Sequence, residues 1–70
     1  MDNLQGRIIV VDSRAETVVG TVVMQDGWSM MVRSNVISAV YVIMFADITY
    51  QDIESGYIEC TSIYQFGKEG

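Results

Sequence analysis

The sequence predicts an all-β domain, a small and strongly bent barrel of five to six antiparallel strands. Three observations carry that expectation. Val, Ile and Thr together supply 22 of the 70 residues, while Leu appears once. Such β-branched side chains are stiff at χ1 and fit a pleated surface better than a helix. Turn-forming clusters recur at short intervals, and proline is absent. Finally, Gly20 interrupts an apolar β run, and glycine inside a strand marks a bend or bulge where a small sheet curls.

The elements follow in order. Arg7–Val11 is the first expected strand, ended by the polar turn Asp12-Ser13-Arg14-Ala15. Glu16–Met24 is the second, with Gly20 in its middle. Asp26-Gly27 then predicts a two-residue hairpin turn of type I′, which needs positive φ at both central residues. Trp28–Arg33 is the third strand, followed by a tight turn at Ser34-Asn35. Val36–Phe45 forms the fourth and Ile48–Ile53 a short fifth. Glu54-Ser55-Gly56 breaks the chain. Tyr57–Phe66 alternates Ile58, Cys60, Tyr64 and Phe66 with Glu59, Thr61 and Gln65, the period of a last strand. The ends, residues 1–5 and 67–70, are expected to fray. A helix is the alternative over Val36–Asp47, because a short apolar run has no diagnostic period.

Length and composition narrow the rest. Seventy residues make one domain, spanning 1–70. A chain this short buries only about 60% of its unfolded surface, and its core rarely supplies more than roughly 3–5 kcal/mol. Cys60 is alone and there is no His, so a disulfide within the chain, a structural zinc and His-dependent nucleophilic catalysis all fall away. No enzymatic activity and no cofactor are expected. Partner subunits remain as the source of extra buried surface. The fourth strand points the same way: Val36–Phe45 is apolar on both faces, and a barrel of this size covers one. The alternative is cover by the C-terminal segment. No signal-peptide pattern stands at Met1–Gln5, and the apolar run Val36–Ala46 is shorter than the about 20 residues of a membrane span. A soluble cytoplasmic protein is expected.

At this point the residues resemble the Sm/LSm family. Gly20, Val22 and Asp26, preceded by Val18-Val19, match the spacing of its first motif, and Asp26-Gly27-Trp28-Ser29-Met30-Met31-Val32-Arg33 matches the aromatic-bearing strand that follows. Gly6–Val11 looks like the family's first strand. The second half is most similar to the bacterial, Hfq-like branch, whose members are RNA chaperones: Arg33 closes the third strand, Val40-Tyr41 falls on a Val-Tyr pair, and Ala46-Asp47-Ile48 looks like the turn into the fifth strand. The resemblance covers Gly6–Ile53 and implies an SH3-like barrel, a homo-oligomeric ring and binding of single-stranded RNA or DNA. There are departures. Val42-Ile43 stands where the bacterial branch has the Lys-His of its uridine pocket, Met30 replaces the Asn of other members, and Glu59-Cys60 offers only a weak match to an Arg-Gly pair. Tyr57–Phe66 is additional.

The resemblance and the residue chemistry together nominate Asp26, Gly27, Trp28 and Arg33 as a nucleic-acid site. Trp28, just after a turn, suits stacking on a base; the alternative is that it plugs the barrel end or a subunit contact. Asp26 either orients loop donors or simply sets the turn with Gly27. Arg33, with Arg7 or Arg14, either meets phosphate or remains a solvated charge. Tyr41, Tyr50, Tyr57 and Tyr64 read as core and interface residues, Met30, Met31 and Met44 as core filling, Cys60 as a buried inert thiol, and Asp52 with Glu54 as a solvated turn. Four basic residues against nine acids give a net charge of −5. A ring of about five to seven copies would then carry about −25 to −35, which repels phosphate. Modest affinity is therefore expected, from weak contacts repeated around the ring. A protein-interaction module with no nucleic-acid site is the competing class.

Overall fold

A computed structural model of the chain describes residues 3–52 and 55–68. The fold is all-β. Among the described residues seven strands appear in chain order: β1 (Ile8–Asp12), β2 (Thr17–Gln25), β3 (Ser29–Ser34), β4 (Ala39–Met44), β5 (Ile48–Asp52), β6 (Tyr57–Cys60) and β7 (Tyr64–Lys68). A three-residue 3₁₀ turn, Phe45–Asp47, links β4 to β5. The strands form one sheet in the order β5-β6-β1-β2-β3-β4-β7. All neighbours are antiparallel except β1 and β6, which run parallel.

Alternation builds the core. Ile9 and Val11 of β1, Val18 and Val22 of β2, Met30 and Val32 of β3, Ala39, Tyr41 and Ile43 of β4, and Ile58 and Cys60 of β6 all point inward. Each Val, Ile or Met among them contributes roughly 1.5–3 kcal/mol on full burial. The buried residues fall into a large cluster and a smaller one of Val18, Ala39 and Tyr41, with Ile63 packed against both. The long strand β2 pairs with β1 over its first half and with β3 over its second, sharing Gly20 and Thr21 between them. A bulge between Val22 and Met24 bends it further.

Several expectations need correction. The sheet has seven strands rather than five to six, one pair is parallel, and the ladder runs from β5 to β7 without closing. The cause lies in Tyr57–Phe66, which breaks in two. The Thr61 N–H and Oγ1 both donate to the Asp47 carbonyl, at 2.8 and 3.0 Å, and this turns the chain away after Cys60. The remaining residues then pair with the outer edge of β4. The fourth strand, expected to need cover from a partner subunit or from the C-terminal segment, has its outer edge covered by the chain's own C-terminal segment. The fourth strand also starts late. Ser34 Oγ accepts the N–H groups of Val36 and Ile37, each at 3.1 Å, holding Val36 and Ile37 exposed in a turn. No helix forms over Val36–Asp47 beyond the 3₁₀ turn.

The described part of the N-terminus is not frayed. Leu4 is 1% exposed and belongs to the main core cluster. Its N–H donates to Gln25 Oε1 at 2.7 Å, and the Gly6 N–H donates to the Val22 carbonyl at 2.7 Å. Gly6 makes this turn at φ +89°, a conformation that favours glycine. At the other end, Gly67 and Lys68 lie within β7, while residues 69–70 lie outside the described residues.

Candidate nucleic-acid interface

The β2–β3 connection is a three-residue loop, Asp26–Trp28. Its turn chemistry differs from the expected type I′ hairpin, because neither Asp26 nor Gly27 has positive φ. The Asp26 side chain does the work instead. Oδ1 accepts the N–H groups of Trp28 at 2.7 Å and Ser29 at 2.8 Å, an Asx-type turn, while the Asp26 N–H donates to the Ser29 carbonyl at 3.0 Å. These backbone donors hold the Asp26 carboxyl below the usual aspartate range. A Cβ on Gly27 would meet nothing within 4 Å, so glycine there answers no packing demand.

Trp28 is fixed at both backbone ends. Its N–H is held by Asp26, and its carbonyl accepts the Phe45 N–H at 2.9 Å, tying the loop to the 3₁₀ turn. Its side chain is nonetheless 77% exposed. This excludes the reading of Trp28 as a plug within the chain's own core and leaves a surface aromatic on a held backbone.

Arg33 is elsewhere. It lies near the far end of β3, paired with Thr21 and Val40, five positions from Trp28 and thus roughly 17 Å along the strand. Asp26, Gly27 and Trp28 are brought together; Arg33 is not placed with them. Arg14 sits in the β1–β2 turn, at the opposite end of β2 from Trp28.

Register reveals a feature that the sequence analysis missed. Met24 pairs with Met31, Met31 with Val42, and Val42 with Tyr64. Directly paired residues share a face, so these four form an apolar row across β2, β3, β4 and β7. Met24 and Tyr64 are exposed, and Met31 and Val42 half-buried. Arg33 and Met44 lie on the same face, each two residues along a strand from the row. The row was hidden because its members are far apart in sequence. The Met31 and Met44 expected to fill the core belong to this outer face; Met30 alone of the three is buried.

The tyrosines divide. Tyr41 is buried, its hydroxyl donating to Glu16 Oε1 at 3.2 Å; burial and the Glu16 charge push its pKa up. Tyr57 donates to Asp12 Oδ2 at 2.6 Å. Beside that bond a groove of about 340 Å³ is lined by Asp12, Ser13, Arg14, Thr49, Glu59 and Cys60, together with Thr61. Cys60 is buried and free, and its thiol is pushed up by burial and by the charges of Asp47 and Asp12, which suits an inert thiol. Among the described residues no cluster of three or more metal-ligating side chains occurs, and Glu54 lies outside them. No helix among the described residues is long and apolar enough to cross a membrane. No family model, curated protein or solved structure matches the chain.

Proposed function

We propose that this protein is a ring-forming, Sm-like binder of single-stranded RNA or DNA, acting in the cytoplasm without catalysis. In this reading the bent sheet is a divergent SH3-like barrel to which β6 and β7 have been added. The observation that carries the reading is the exposed Trp28 ring on a backbone held by Asp26 and Phe45. A pre-positioned aromatic loses little freedom when a base stacks on it. The apolar row ending at Tyr64 offers further stacking surface, and Arg33 beside it offers one phosphate contact per copy. Affinity per copy is modest because the chain carries −5, and uridine preference is weak because Val42 and Ile43 replace Lys-His.

A protein-interaction module is the second reading. The same net charge and the apolar row favour it, since apolar, Met-bearing surfaces suit protein partners. Fluorescence anisotropy with labelled single-stranded RNA and DNA at low salt decides between the two. The nucleic-acid reading expects binding that falls steeply with salt and weakens about 5- to 150-fold in Trp28→Ala. Equal binding by both proteins would reject stacking on Trp28. No binding by either would leave the interaction module.

A further inference from the structure

Among the described residues, nothing pairs with the outer edge of β5 or of β7. We propose that the β7 edge of one copy pairs antiparallel with the β5 edge of the next, so that the sheet continues from copy to copy. The proposal rests on the ring reading above and names its interface.

Strand direction supports this pairing. Taking β2 as reference, β4 runs with it and β7 against it, while β1 and β6 run against it and β5 with it. The two open edges therefore run in opposite directions. Copies set side by side in one orientation present antiparallel neighbours, the commoner and slightly more stable ladder. Both edge strands span five residues, so neither leaves a long overhang. The β7 edge also carries Tyr64 and Phe66, both exposed, Phe66 by 70%. Open edges with apolar side chains are templates for pairing.

Antiparallel pairing sets the Lys68 end of β7 against the Ile48 end of β5, and the Tyr64 end against the Asp52 end. Each edge strand also contains a bulge: Thr49 in β5 and Phe66 in β7 are left out of the pairing with β6 and β4. Bulges bend a strand, which favours a junction that turns and closes over a straight fibre. One heterologous junction repeated with rotation makes a ring.

The bulges also supply the test, because proline at Thr49 or Phe66 spares the register inside the chain while disturbing the outer edge. Sedimentation velocity without nucleic acid is run on wild type, Thr49→Pro, Phe66→Pro and an equimolar mixture of the two variants. The expected result is a multimer for wild type and a monomer for each variant. The mixture should give a dimer, since one variant keeps an intact β7 and the other an intact β5. Wild-type assembly should tighten with added salt as the repulsion between acidic copies is screened, whereas nucleic-acid binding weakens. A monomeric wild type overturns the proposal, as does a full assembly formed by either variant alone. A Thr49→Pro dimer with a monomeric Phe66→Pro overturns it in favour of a symmetric β7–β7 junction. Where circular dichroism shows that a proline variant has unfolded, Thr49→Lys and Phe66→Lys are read by the same criteria. Trp28-dependent binding by a monomer would leave the nucleic-acid reading standing and reject the ring alone.

Discussion

Gly20, paired with Ser34, lies so close to the Arg33 backbone across the β2–β3 ladder that a Cβ on Gly20 would sit 2.5 Å from the Arg33 carbonyl oxygen and 2.6 Å from Val32 Cγ1. A backbone oxygen cannot step aside as a flexible side chain can. Gly20→Ala is therefore expected to destabilise the fold by about 1–3 kcal/mol, the usual range for overpacking, read as a lower urea midpoint. An unchanged midpoint would mean that the two strands separate freely.

Asp26 and Gly27 should behave as opposites. Asp26→Ala removes the acceptor of two loop N–H groups, so Trp28 should gain mobility, seen as lower steady-state fluorescence anisotropy of the Trp itself. Gly27→Ala fills open space without positive φ and should stay within about 0.5 kcal/mol of wild type. Asp26 also sets a pH dependence. Its folded pKa is depressed, so its contribution is present above the unfolded aspartate range and is lost as pH falls through the lower folded pKa. Trp28 anisotropy should fall over that acid window in wild type, and Asp26→Asn should abolish the transition.

Leu4 tests the N-terminus. Leu4→Ala should cost about 2–5 kcal/mol, as core truncations do. In a chain whose core supplies roughly 3–5 kcal/mol, that leaves much of the population unfolded at 25 °C by circular dichroism. A variant as stable as wild type would mean that residues near Leu4 contribute nothing to the core.

Tyr57 should titrate late. Its hydrogen bond to Asp12, aided by burial and the charges of Asp12 and Glu59, pushes its pKa up to about 12. Because the folded pKa is raised, this stabilisation is complete below the ordinary tyrosine pKa near 10 and fades as pH climbs from there to about 12. Absorbance at high pH should resolve a late-ionising tyrosine that Tyr57→Phe removes. An unchanged titration in the variant would reject the assignment.

Much of the β structure was legible because a strand writes its own period. Ile9 and Val11, Met30 and Val32, and Ile58 and Cys60 alternate with outward residues, and burial follows the alternation. The candidate loop was legible as a turn from Asp26 and Gly27, although not in its geometry, because an Asp carboxylate and a positive φ are two routes around the same corner. The row from Met24 to Tyr64, and the distance from Trp28 to Arg33, were not legible. Both depend on which strands lie side by side.

The sequence by itself determined which residues favour strands, which face of each strand is apolar, and where the chain must turn or approach closely. Only the tertiary structure decided that β6 runs parallel beside β1, that β7 rather than a second copy covers β4, and that Trp28 stands exposed at one end of the β2–β3 hairpin while Arg33 lies toward the other. The reason is physical. Side-chain period is a local property of the chain. The backbone N–H and C=O groups that choose a strand's neighbour are nearly identical at every residue, so the choice among partners falls to packing, register and the turns between them.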